Sequence, residues 1–330
     1  MIRKILFFIL LSLSTGQASA QDAHLSLYDA APLFLNPAMT GVFDGDWRIH
    51  GQYRTQWKAV NHKPYTTALL SFDIPVKKWG FGVQVSNFRA GIGNYNALQG
   101  VLSIAYTTSM DRKKRHNISF GIQGGVTQKT IEYQLLTFNN QYTTANGGGF
   151  DQTLYSGEEF AGQSAMIPVV NAGILYFFAK QESRFNPFIG ASAFNLTTPK
   201  ESFFNEDNRL PMRYYGHVGT RINFTELFYM IPKVLVMTQG EFWEQTYALD
   251  AGYYFKDGDF YLTAGAVLRA EDAMIVSIGA KMENIVAKIG YDINVSSLAT
   301  SSSGRGGFEV SLTFINQKKK PQTEKICPRL

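Results

Sequence analysis

Between residues 47 and 315 apolar and polar positions alternate along the chain. In 47–57, Trp47, Ile49, Tyr53 and Trp57 take one side, and Arg48, His50, Gln52, Arg54 and Gln56 take the other. Successive side chains of an extended backbone point to opposite faces, so one face is apolar and the other carries charge and amide. The split returns in 285–295, where Ile285, Ala287, Ile289, Tyr291, Ile293 and Val295 oppose Lys288, Gly290, Asp292 and Asn294. It returns again in 307–314, with Phe308, Val310, Leu312 and Phe314 opposite Gly307, Glu309, Ser311 and Thr313. Segments 247–255 and 260–269 place Asp250 and Arg269 on their polar faces.

The pattern predicts an all-β chain of about 14 strands: 47–57, 65–73, 79–87, 96–107, 117–128, 168–179, 187–196, 213–223, 231–239, 246–255, 260–269, 273–282, 285–295 and 307–315. Segments 187–196 and 231–239 alternate poorly. A soluble sandwich also alternates, but these segments exceed the five or six residues usual for soluble strands. Aromatic residues cluster at segment ends (Trp47, Trp57, Tyr65, Trp79, Tyr106, Tyr291, Phe314), as in the interfacial girdles of membrane barrels. The polar faces are rich in small residues and amides, such as Gly80, Gly82, Gln84 and Ser86, which suits a lumen. The expectation is a transmembrane antiparallel β-barrel. Its connections sort by parity: 74–78, 108–115, 180–186, 224–230, 256–259 and 283–284 are short, and the other set holds 129–167, 197–212 and 296–306. Short periplasmic turns and long outer loops are the rule for outer-membrane barrels.

Domain boundaries follow. Arg3 and Lys4, an apolar run over 5–13 and Ala18-Ser19-Ala20 read as a signal peptide over 1–20. Residues 21–46 precede the barrel as an N-terminal periplasmic segment or plug, 47–315 form the barrel, and 316–330 form a basic C-terminal tail. The expected address is the outer membrane of a Gram-negative bacterium.

Composition narrows the picture. The 330 residues are 45% hydrophobic and 17% charged with one Cys, which excludes a disordered chain and a disulfide scaffold. The pI of about 9.0 comes from the ends, since the tail carries Lys318, Lys319, Lys320, Lys325 and Arg329 against Glu324. No nucleic-acid footprint appears. The five histidines (His24, His50, His62, His116, His217) have no metal spacing, and no phosphate loop or complete dinucleotide fingerprint is present. No cofactor is implied. A Ser/His/acid site assembles from distant positions and stays open, with His50 beside Arg48 and Arg54 as its candidate; a hydrogen-bonding role in the lumen is the plainer reading. Arg48, Arg54, Asp73, Asp250, Arg269, Lys281, Lys288, Asp292 and Glu309 are expected to face inward as a polar network. That network either stiffens the wall or lines a selective pore. The loop stretch 131–138 could fold inward, and the tail could dock on a partner.

The chain resembles the PorP/SprF family of type IX secretion and gliding proteins. The residues that carry the likeness are Gln21-Asp22, Leu35-Asn36-Pro37-Ala38 with Gly41, Tyr53-Arg54-Thr55-Gln56-Trp57, Arg269 with Asp272-Ala273, Gly290-Tyr291-Asp292, Gly307-Phe308-Glu309 and Cys327-Pro328-Arg329-Leu330. The segment after Leu196 with Phe203-Phe204, the basic 318–320 run and the terminal Leu330 depart from the family pattern. The resemblance implies a non-enzymatic component that assists export or surface attachment of large adhesins. It implies contact with other components of the machine, including a periplasmic peptidoglycan-binding protein. Asn36, Pro37, Ala38, Cys327, Pro328, Arg329 and Leu330 are the candidate periplasmic contacts, and 129–167 is the candidate cargo surface. The alternatives are an outer-membrane channel for small or lipophilic solutes, and an outer-membrane hydrolase.

Overall fold

The computed structural model describes residues 24–56, 63–180, 183–204, 207–296, 299, 302 and 304–316. The signal segment 1–20, Gln21-Asp22, Trp57 and the tail elements 318–320 and Cys327 to Leu330 lie outside the described residues.

Fourteen antiparallel strands close on themselves: β1 (Trp47–Gln56), β2 (Tyr65–Val76), β3 (Trp79–Ala90), β4 (Tyr95–Ser109), β5 (His116–Thr130), β6 (Ser164–Phe178), β7 (Phe185–Phe194), β8 (Arg213–Asn223), β9 (Phe228–Gln239), β10 (Phe242–Phe255), β11 (Phe260–Arg269), β12 (Ala273–Met282), β13 (Ile285–Asn294) and β14 (Arg305–Asn316). Each strand pairs with its neighbours in sequence. The seam is β1 against β14, running from Trp47↔Asn316 to Gln56↔Gly307. Closure leaves no strand edge, which lipid could not solvate.

All fourteen segments expected from alternation are strands. The two that alternate poorly are β7 and β9, and the reason is visible. Pro187 and Pro232 stand on their outward faces, and Ala191 and Ala193 supply little apolar bulk beside them. Several strands run past their expected ends, β6 beginning at Ser164 and β3 reaching Ala90. The outward rows are apolar and exposed, Leu102 at 67% and Met166 at 67%. The inward rows are polar and buried, as Arg48, His50, Gln52 and Arg54 show in β1. Water-facing protein does the reverse, so the outer belt is built for lipid.

The first and last residues of the wall, Trp47 and Asn316, meet at the rim that carries the short turns. Two-residue turns there use Lys77 (φ 58°) and Glu283 (φ 41°). The opposite rim carries the long connections. In it, Tyr142–Thr143 and Gly149–Phe150 pair as a small hairpin. The stretch 131–138 does not fold into the lumen. It crosses the rim sideways: Glu132 N donates to Gly93 O (2.8 Å), and Tyr133 stacks on Phe160 (4.3 Å), which meets Phe204 of the next long loop (4.7 Å). Stacking between loops buries these rings more cheaply than insertion into a polar lumen.

Residues 24–46 lie inside the barrel. They rise from the short-turn rim at Asp46, where Asp46 N donates to Asn316 O (2.8 Å), to the long-loop half at His24. The segment is a string of single turns: Tyr28–Ala30, Pro32–Leu35 and Pro37–Met39. Pro32 and Pro37 each open a turn, where a missing N–H costs nothing. Asn36 Oδ1 accepts from Ala38 N (2.9 Å) and caps the last of them. Tyr28 and Leu35 pack with Phe194, Tyr215, Leu235, Met237 and Ile275 of the wall. Leu25, Ala31 and Phe34 pack with Leu69 and Phe88.

Candidate functional site

The segment is tied to the wall at three depths. At the short-turn end, Arg48 holds Asp73 with both nitrogens (Nε–Oδ1 2.9 Å, Nη2–Oδ2 2.7 Å), and Asp73 Oδ2 also accepts from Gly41 N (2.7 Å). A bidentate guanidinium–carboxylate pair fixes direction as well as charge. Midway, Lys233 Nζ reaches Asp29 Oδ2 (2.6 Å) and Asp250 Oδ2 (2.5 Å), with Lys288 Nζ at 3.4 and 3.1 Å from the same two oxygens. Two ammoniums and two carboxylates neutralise one another there, Lys233 and Asp250 buried and Asp29 half-buried.

Toward the long loops, Glu309 and Asp292 receive the first described residues. Ser26 N (2.7 Å) and Leu27 N (3.2 Å) donate to the Glu309 carboxylate, and Ser26 Oγ donates to Asp292 Oδ2 (2.7 Å). Arg54 Nη2 meets the same Asp292 oxygen at 2.7 Å, and its Nη1 donates to His24 O. Arg269 donates to Ser26 Oγ (3.0 Å) and pairs with Asp272 (2.7 Å). His24 Nδ1 lies 3.9 Å from Glu244 Oε2. Burial, then the guanidiniums of Arg269, Arg54 and Arg213, pull its pKa well below the ordinary histidine value. His24 is thus neutral, and this contact is not a full ion pair.

Between the tethers lies Leu35-Asn36-Pro37-Ala38. Asn36 and Ala38 are fully buried. Asn36 Nδ2 donates to Ile174 O (3.0 Å) and Ala191 O (3.3 Å) and sits 3.2 Å from His217 Nε2. Gln123 Nε2 and Ser192 Oγ donate to Leu33 O and Leu35 O, each at 2.8 Å. Wall glycines make the seat. A Cβ on Gly121 would fall 2.3 Å from Pro37 C, and one on Gly80 would fall 2.1 Å from Thr40 O. Any larger residue at either position collides with the segment's backbone.

Of the residues expected to line the lumen, Arg48 and Asp73 pair with each other, and Asp250 with Lys288. Arg269, Asp292 and Glu309 converge on Ser26, and Arg54 holds both carboxylates and the His24 carbonyl beside them. Lys281 stands apart at the short-turn mouth, exposed. His50 hydrogen-bonds Thr313 (2.8 Å) and Gln52 (2.9 Å) within the wall. Asn36, Pro37 and Ala38, expected at a periplasmic contact, are instead packed against β5 to β8, and their burial leaves no surface for a partner. Cys327, Pro328, Arg329 and Leu330 lie outside the described residues. Lys233, Asp29, Gln123, Ser192 and His217 were not anticipated. Strict parity from Lys233 through Leu235 to Met237 carries the signal for the first, but Pro232 beside it masks the alternation.

Above the plug, toward the long loops, a cavity of about 750 Å³ remains. Tyr65, Phe88, Tyr95 and Trp243 contribute rings to it, and Arg89, Arg213, Lys129 and Asp272 contribute charge. Among the described residues no group of three His, Cys, Asp or Glu side chains is placed to hold a metal.

Residues 17–314 match the family model described as type IX secretion system membrane protein PorP/SprF. Among solved structures, the chain is similar to the Ralstonia pickettii toluene transporter TbuX at 10% identity and TM-score 0.52, over 87% of this chain and 94% of that one. It is similar to a TodX monoaromatic hydrocarbon channel variant, deltaS2S3, at 12% identity and TM-score 0.52, over the same shares. At such identities the likeness concerns the fold. No curated protein sequence matches the chain. Closed barrel and family match together set the protein in the outer membrane of a Gram-negative bacterium.

Proposed function

Since the chain belongs to the PorP/SprF family of type IX secretion system membrane proteins, we propose that it works in that machinery as a non-enzymatic, plugged scaffold. It assists export or surface attachment of large adhesins and contacts periplasmic partners, a peptidoglycan-binding protein among them, in the service of secretion and gliding. The observation that carries this reading is the lumen itself. A segment tied at three depths, by the Asp29 ion pairs midway and by hydrogen bonds to buried wall carboxylates at either end, leaves a wall that offers its two rims, and not a pore, as working surfaces.

The rims differ in charge. The long loop 131–163 holds Glu132, Asp151, Glu158 and Glu159 with no Lys or Arg, and it exposes Tyr142, Phe150 and Tyr155. Rings and carboxylates on a long loop suit a protein cargo at the outer face. The short-turn rim carries Lys77, Lys78, Arg112, Lys113 and Lys114, and the basic tail begins there after Asn316. Cys327, Pro328, Arg329 and Leu330 are the proposed periplasmic contacts. Asn36, Pro37 and Ala38 serve to seat the plug.

Removal of 317–330 tests the reading. The truncated barrel should still shift on heating in gels, while adhesin at the cell surface and recovery of the periplasmic partner both fall. Unchanged export and recovery refute the tail's role. A channel for small or lipophilic solutes is the second reading, favoured by the ring-lined cavity above the plug; it requires conductance or solute uptake by the intact protein.

A further inference from the structure

The wall is not paired throughout. Between β8 and β9 the ladder runs from Arg213↔Gln239 to Gly219↔Lys233 and resumes at Ile222↔Met230. It lapses at Thr220 and Arg221, opposite Pro232 and Ile231. Proline has no N–H to give to a ladder. On its other side Thr220 stands opposite Pro187. An outward-facing threonine thus lies between two outward-facing prolines, its hydroxyl buried and without a partner.

Over this seam the lipid-facing surface is hollowed. A concavity of about 770 Å³ extends from Pro187 across Pro232, Val234 and Leu249 to Leu268 and Met274, a size typical of ligand sites. The outward row of β9 is only half-buried to the outside, where other outward rows stand proud, and Ala266 leaves the floor low. On the lumen side the seam is shut by Phe188, whose ring tip lies 2.5 Å from where a Cβ on Gly219 would be. The hollow therefore opens toward the bilayer and is closed toward the lumen.

Its lining is apolar but for Thr220, for Tyr247, whose hydroxyl is bonded to Gln245, and for Lys233, whose ammonium is turned into the lumen onto Asp29 and Asp250, so it has little to offer a sugar, an ion or a polar peptide. A flat wall touches an acyl chain on one side, whereas a trough touches it on three. In lipid, where apolar surfaces gain little from leaving the solvent, such added dispersion contact is what selects an occupant. The medium around the trough supplies acyl chains. We propose that the β8–β9 seam is a lipid site that holds one phospholipid acyl chain of the surrounding membrane against β8 to β11.

The full chain in phosphatidylethanolamine/phosphatidylglycerol vesicles, with a trace of phospholipid bearing a diazirine on its acyl chain, provides the test. After irradiation, adducts are mapped by mass spectrometry. Val218, Val234 and Leu249 should label roughly fivefold more than the equally outward Val83, Leu102 and Ile122 across the barrel, about 1 kcal/mol of preference. Ala266→Trp should bring the trough down to the level of the far wall and leave far-wall labelling unchanged. Val234→Phe, which fills the trough from β9, gives the same readout should Ala266→Trp not run as a folded, heat-modifiable band. Uniform labelling of the two walls, or trough labelling undiminished in a folded filling variant, overturns the proposal.

Discussion

Asp29 is the segment's charged foothold on the wall. Burial alone would raise its carboxyl, but the ammoniums of Lys233 and Lys288 outweigh that and hold it well below the usual carboxylate range. A carboxyl lowered by folding adds stability above its unfolded value of about 4, and loses it as pH falls from there toward the folded value. Amide protection over 25–46, once the intrinsic pH dependence of exchange is divided out, should therefore be flat at neutral pH and fall in acid below that point. Protection lost only at alkaline pH would contradict the clamp. Asp250→Ala leaves Lys233 and Lys288 with one carboxylate for two ammoniums, and a buried pair broken on one side costs about 3–5 kcal/mol. Denaturant unfolding of the purified variant should show that loss. Thr220 gives the opposite expectation. Its hydroxyl has no partner to lose, so Thr220→Val should leave the melting temperature unchanged or raised, and a clear fall would mean that the hydroxyl is bonded. At this scale the sequence declared which side chains face inward, because parity alone decides that. It did not declare who meets whom. The convergence of Asp292 and Glu309 on Ser26, with Arg54 paired to both, depends on closure of β1 on β14 and on a segment more than 260 residues away from Asp292 in sequence.

Strands were legible as elements because a lipid-facing row admits little but apolar side chains, and its alternation persists for ten to fifteen residues. Legibility failed where backbone need replaced side-chain need. Pro187 and Pro232 interrupt the rows of β7 and β9, and both belong to the trough. The plug shows a second limit. Pro32, Asn36 and Pro37 declare turns, but turns carry no address, and a surface contact was as consistent with them as a buried seat. The seat itself was written in the wall, as glycines at inward positions. Gly121→Val should collide with Pro37 while its backbone keeps its place between β4 and β6. Limited proteolysis should then cut within 24–46 faster than in the parent chain, with the barrel still heat-modifiable. Equal protection in both would mean that the segment does not rest on Gly121.

For the whole molecule, closure and plugging are separate achievements. Backbone pairing around fourteen strands closes the wall, and buried charge pairs with small-residue seats close the lumen. The account of a scaffold that works at its rims depends on the second. Planar-bilayer conductance measures it most directly. The intact protein should insert without a sustained open state, and a chain lacking 24–45 should open a steady channel through the emptied lumen. Steady conductance by the intact protein, equal to that of the deletion, would contradict the plug and favour a solute channel instead.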